Sequence, residues 1–162
     1  MELIFASNNQ HKLDEIRAMA GNRFVIKGLD DIGYDDIPET GVTFAANAGQ
    51  KSHYIYERYR YNCFGDDSGL EIDVLNGEPG VYSARYSGSR DPERNIDLVL
   101  QKMEGMNNRK ARFRTVISLI LEGKEYFFEG SVEGRITRQR SGTRGFGYDP
   151  VFIPDGYSVT FA

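Results

Sequence analysis

Apolar residues recur along this chain with two periods. Leu3-Ile4-Phe5-Ala6 is a short apolar run of the kind a buried strand needs, and Ser7-Asn8-Asn9 after it supplies N-cap chemistry. Leu13, Ile16 and Ala20 then follow helical spacing until Gly21 closes the stripe, and Phe24-Val25-Ile26 reads as a second strand. The opening is therefore strand, turn, helix, strand, the start of an α/β protein. Past a polar turn region from Asp30 to Thr40, the pattern predicts a helix from Thr43 to about Tyr59, with Gly49 its weak point. Strands are predicted over Tyr61–Gly65 and Leu70–Leu75, separated by Asp66-Asp67-Ser68-Gly69, and Asn76–Gly88 reads as a long ordered loop. The clearest helix follows: Asp91 can cap it, Pro92 suits its first turn, and Ile96, Val99, Leu100 and Met103 fall at i, i+3, i+4, i+7. Arg112–Leu121 and Glu125–Ile136 flank a turn at Glu122-Gly123-Lys124, a hairpin signal that makes the sheet mixed.

Composition narrows this picture. With 162 residues and 40% of them hydrophobic, the chain can build one ordinary domain and is not a disordered one. The longest aliphatic stretch, Val116–Leu121, is far below the ~20 residues of a membrane span. Met1-Glu2-Leu3-Ile4-Phe5 has no basic region ahead of its apolar run, so it does not read as a secretory signal. The formal net charge of −4 offers no global attraction to nucleic acid or anionic lipid. A polyanionic substrate must then be met by local cations or by a metal. Cys63 is the single cysteine, which excludes an intramolecular disulfide and fits a reducing, cytoplasmic compartment.

Four segments carry candidate chemistry. In Cys63-Phe64-Gly65-Asp66-Asp67-Ser68-Gly69, two adjacent carboxylates follow an apolar strand, between glycines that allow a sharp turn or a close ligand. Adjacent carboxylates repel unless a cation joins them, and Mg²⁺ suits such a pair; an Asp-rich tight turn is the plainer reading. Ser7-Asn8-Asn9-Gln10-His11-Lys12 opens a helix, where unpaired N–H groups and the dipole favour phosphate, although a capped helix with a solvated lysine would look the same. Glu39-Thr40-Gly41-Val42-Thr43-Phe44 leads into Asn47 and Lys51, which share a helical face. Glu39 is a third potential metal carboxylate, or an ordinary helix-dipole partner with Lys51 a solvated residue. Gly145-Phe146-Gly147-Tyr148-Asp149-Pro150 presents a ring for stacking on a nucleobase, and Asp149 as acceptor for base N–H groups, or else a Gly-Pro turn with buried aromatics. His11 and His53 do not read as a catalytic pair, and Tyr54, Tyr56, Tyr59 and Tyr61 read as a packing or subunit surface. Phosphates, a divalent cation and a base together describe a nucleoside triphosphate site.

In these blocks, and in Pro79-Gly80-Val81-Tyr82-Ser83-Ala84-Arg85-Tyr86-Ser87-Gly88, the sequence resembles the inosine/xanthosine triphosphate pyrophosphatases, in family order over almost the whole chain. The resemblance implies an α/β fold with an elongated mixed sheet, flanking helices, and two lobes around a central cleft. It implies one catalytic domain over residues 1–162 and a homodimer, while the acidic balance and the short aliphatic stretch speak against a nucleic-acid or membrane partner. The implied activity is Mg²⁺-dependent hydrolysis of ITP, dITP and XTP to the monophosphate and pyrophosphate, clearing aberrant purines from the nucleotide pool. Asp67 would be metal ligand and general base, with Glu39 and Asp66 completing the metal carboxylates. Ser7, Asn8, Asn9, Gln10, His11, Lys12, Lys51 and Ser68 would hold the triphosphate, and Phe146, Gly147, Tyr148 and Asp149 the base. The family continues beyond the point matching Ala162 with a lysine and a Ser-His-Arg motif that reads the 6-keto oxygen. Lacking that segment, the chain is expected to be weakly active or poorly selective against ATP. A related nucleotide pyrophosphatase of other base specificity, and a nucleotide-binding protein of low activity, are the alternatives.

Overall fold

The computed structural model describes residues 1–34 and 36–162. Six strands, β1 (Glu2–Phe5), β2 (Val25–Lys27), β3 (Cys63–Ile72), β4 (Lys110–Leu121), β5 (Lys124–Ile136) and β6 (Phe152–Pro154), form a sheet of order β2-β1-β3-β4-β5-β6. Among the described residues, three α-helices accompany them: α1 (Gln10–Ala20), α2 (Phe44–Tyr59) and α3 (Pro92–Lys102). The sheet is mixed, as the hairpin signal implies: β1 runs parallel to β2 and β3, while β5 and β6 are antiparallel. No described helix is long and apolar enough to cross a membrane.

Each helix starts where capping chemistry allows. Asn9 accepts the Lys12 N–H, Thr43 the Ala46 N–H, and Asp91 the Glu93 and Arg94 N–H groups, each satisfying donors the helix itself leaves unpaired. Glu122 and Gly123 both take positive φ, 50° and 81°, which matches the turn twist that joins β4 to β5 in a two-residue hairpin.

The chain divides into two compact units, Met1–Asp67 with Val116–Glu129, and Ser68–Thr115 with Gly130–Ala162. In the first, Leu3, Phe5, Leu13, Ile26 and Phe64 pack together, and Ile4, Ala6, Leu29, Ile55, Cys63 and Ile120 form a second cluster. Alternate β1 residues thus enter different clusters, the period-2 consequence of strand geometry. In the second unit, Ile96, Val99 and Met103 of the α3 stripe pack with Leu70, Ile72, Ile136, Val151 and Phe152.

Three expectations change. The two strands predicted around Asp66-Asp67-Ser68-Gly69 are one strand, β3, and the acidic pair lies inside it. Gly65 does not serve a turn there: a Cβ would collide with the Ala48 carbonyl oxygen and approach Lys51 Cβ to 2.9 Å, so glycine permits α2 to lie directly on the strand. The Asn76–Gly88 loop contains a 3₁₀ segment at Gly80–Arg85. Tyr59 and Tyr61 stack at the surface with centroids 5.6 Å apart, while Tyr54 and Tyr56 pack at the edge of the core.

Candidate active site

The first unit gathers the acidic and basic candidates into one cluster. Asp66 and Asp67 are buried on β3, where unpaired carboxylates would be costly. Each has partners from a helix. Lys12, one turn into α1, places Nζ 2.6 Å from Asp66 Oδ2, and Lys51 Nζ lies 3.9 Å from Asp66 Oδ1. Asn47 of α2 donates from Nδ2 to Asp67 Oδ2 at 2.8 Å. Lys51 also donates to Glu39 Oε1 at 2.6 Å. Lys51 is not a solvated surface residue; it is buried, its stem packed where Gly65 leaves room.

This packing sets the electrostatics. Burial pushes Asp67 up from 3.8 to about 6; Glu39 pushes in the same direction, while the Asn47 hydrogen bond and the Lys51 and Lys12 charges oppose. Two carboxylates, Glu39 and Asp67, therefore feel each other, the arrangement a divalent cation relieves. Among the described residues, no group of three or more His, Cys, Asp and Glu side chains is arranged to hold a metal ion. Two carboxylates are nonetheless a sufficient protein contribution for Mg²⁺, whose other positions go to water and phosphate oxygens.

At the start of α1, Ser7 Oγ accepts the Asn9 N–H at 3.2 Å, Asn9 Oδ1 accepts the Lys12 N–H at 3.2 Å, and Gln10 Nε2 donates to Asp14 Oδ1 at 2.6 Å. Asn8 and His11 are exposed. No acidic residue occupies the first turn, so no carboxylate there competes with an anion for the helix N-terminus.

The remaining candidates belong to the second unit. Ser68 shares a 2.8 Å hydroxyl hydrogen bond with Thr115. Asp149 Oδ2 accepts the Phe146 N–H at 2.9 Å, and a Cβ on Gly145 would collide with that carboxylate. Asp149 thereby closes the loop that bears the Phe146 ring, which is 36% exposed, with Gly147 between them. Burial pushes the Asp149 carboxyl upward. Tyr148 is buried and donates its hydroxyl to the Ser83 carbonyl at 2.7 Å. His53 Nε2 lies 3.1 Å from Glu125 Oε2.

Spacing puts Asn47 on the same helical face as Lys51 without showing what it does. It is fully buried, accepting the Gly41 N–H at 2.7 Å while donating to Asp67. An asparagine on the face that carries a buried lysine was the available signal.

Residues 3–162 match the family model described as the Ham1 family. The chain is 49% identical over 164 residues to a dITP/XTP pyrophosphatase of Flavobacterium johnsoniae, spanning 100% of this chain and 85% of that protein. The Ham1 protein of Staphylococcus aureus superposes with a TM-score of 0.89 at 38% identity, over 100% of this chain and 85% of that one. A Mycobacterium abscessus structure described as a nucleoside-triphosphatase and dITP/XTP pyrophosphatase gives a TM-score of 0.82 at 38% identity, over 100% of this chain and 88% of its own. A model match over nearly every residue, and this identity across the whole chain, establish that the chain belongs to the Ham1 family.

Proposed function

We propose that this chain hydrolyses aberrant purine nucleoside triphosphates, dITP, ITP and XTP, to the monophosphate and pyrophosphate. The observation that carries the reading is the cluster in the first unit. There, two lysines are held at 2.6 Å by Asp66 and Glu39, beside a buried aspartate whose pKa is raised to about 6. The Flavobacterium johnsoniae relative is a dITP/XTP pyrophosphatase, and this supplies the substrate class.

The lysines are ready to exchange their carboxylate partners for phosphate oxygens, and the α1 N-terminus adds N–H donors from its first turn. Until a nucleotide binds, Asp66 and Glu39 hold the two ammonium groups in place. Glu39 and Asp67 would hold Mg²⁺, which when bound neutralises phosphate charge and makes water more acidic. At pH 7 Asp67 is mostly ionised even without the metal, and its carboxylate can orient the attacking water and accept its proton. Water oxygen joins phosphorus, the bond to the departing pyrophosphate breaks, and the lysines take up the charge that develops there. In the second unit, Phe146 offers a ring suited to stacking on a purine, and Ser68 a hydroxyl for phosphate. A homodimer and a cytoplasmic location belong to the same proposal. Tyr126, Phe127 and Phe128 of β5 are exposed apolar residues that a second copy would cover.

Pyrophosphate release is to be measured across dITP, XTP, dUTP, ATP and GTP, with and without Mg²⁺. Turnover of dITP and XTP that requires the metal and is lost in Asp67→Asn supports the reading. Preference for dUTP would move the chain to another base specificity, and metal-independent turnover would remove the cation. Light scattering tests the dimer.

A further inference from the structure

Asn47 touches both segments that carry the proposed metal carboxylates. Its Oδ1 accepts the Gly41 N–H at 2.7 Å, two residues from Glu39, and its Nδ2 donates to Asp67 Oδ2 at 2.8 Å. The first bond fixes the amide's orientation: a backbone N–H can only donate, so the oxygen must face Gly41 and the nitrogen must face the carboxylate. The same segment is fastened a second time, since Gln50 Oε1 accepts the Thr40 N–H at 3.0 Å. Asp67 Oδ2 is thus occupied, while Oδ1 takes no hydrogen bond among the described residues. Gly41 belongs to this device. A Cβ there would stand 2.6 Å from Asn47 Oδ1 and 2.8 Å from Ala46 Cβ, so any larger residue displaces the amide.

We propose that Asn47 is a positioning residue: its buried amide ties the Glu39–Thr43 segment to Asp67 and reserves one oxygen of that carboxylate for the reaction. The inference rests on the pyrophosphatase reading and deepens it by naming what holds Asp67 and Glu39 in a common frame. Residues that orient ligating and catalytic groups cost roughly 10–100-fold in activity or metal affinity when removed. A merely structural amide would cost stability alone.

The test compares the full chain with Asn47→Ala, Gly41→Ala and the double variant. Thermal melting establishes folding, steady-state kinetics on dITP separate kcat from KM, and Mn²⁺ titration without nucleotide gives the metal affinity. The expected result is a kcat lowered about 10–100-fold with KM for dITP changed by less than about threefold, and Mn²⁺ affinity weakened by about 10-fold or more. The double variant should lose no more than the more damaged single variant, because both break one tie. Gly41→Ala keeps the Asn47 side chain in the core while displacing its amide, and sits in a half-exposed segment, so it carries the test if Asn47→Ala fails to fold. A folded variant that keeps kcat within threefold, or a double variant whose losses multiply, overturns the proposal. If the parent chain releases no pyrophosphate from any nucleotide, the activity reading fails separately. The Mn²⁺ titration then decides, and equal affinity in parent and variant overturns the positioning role.

Discussion

Substituting Asp67 by Asn should abolish turnover and stabilise the metal-free protein. Burial, aided by the neighbouring Glu39, raises the folded-state pKa of Asp67 from 3.8 to about 6. A carboxyl whose folded pKa exceeds its unfolded value binds its proton more tightly when folded, so protonation favours the native state. Its contribution is complete below about pH 4 and is lost as pH rises through 6. The gap of about two pH units, at about 1.4 kcal/mol each, amounts to about 3 kcal/mol at pH 7. Asn is neutral at every pH and of similar size, and its carbonyl oxygen can still accept from Asn47 Nδ2. It therefore removes the penalty without opening a cavity. Asp67→Asn should accordingly melt roughly 6–12 °C above the parent at pH 7 in EDTA, and the difference should close near pH 4. Urea and thermal denaturation of both proteins across pH 4–8, always with chelator, provide the measurement. A variant no more stable than its parent at pH 7, or a difference that persists unchanged at pH 4, would refute the account of how burial sets this group.

Other substitutions probe the remaining parts of the cluster. Lys12→Met takes from the buried Asp66 its 2.6 Å ion pair; urea denaturation should show a loss of about 2–4 kcal/mol, and KM for dITP should rise at least tenfold. Gly65→Ala forces a methyl against the Ala48 carbonyl and Lys51 Cβ; a loss of about 1–3 kcal/mol is expected, and an unchanged melting temperature would show that helix and strand can separate freely. Phe146→Ala removes a part-exposed ring, so stability should change by less than about 1 kcal/mol, while KM for dITP rises by about tenfold or more if the ring stacks on the base.

Local pattern settled much of this protein. The Asp91 cap, Pro92 and the Ile96–Met103 stripe specify α3, because a helix needs only a satisfied first turn and one apolar face to bury. The Glu122-Gly123 pair likewise specifies its hairpin, since both residues must adopt positive φ. Ordered motifs over nearly the whole chain were enough to indicate the family. The strand through Asp66 and Asp67 was not legible, because charged residues in mid-strand look like a turn unless their partners are known. Those partners, Lys12, Asn47 and Lys51, come from α1 and α2. Only tertiary packing brings them within reach, turning an acidic interruption into a buried cluster and lifting Asp67 toward neutral pH. Residue type and spacing determine which groups are available for chemistry. Burial and distance determine their charge and partners, and both are properties of the folded chain.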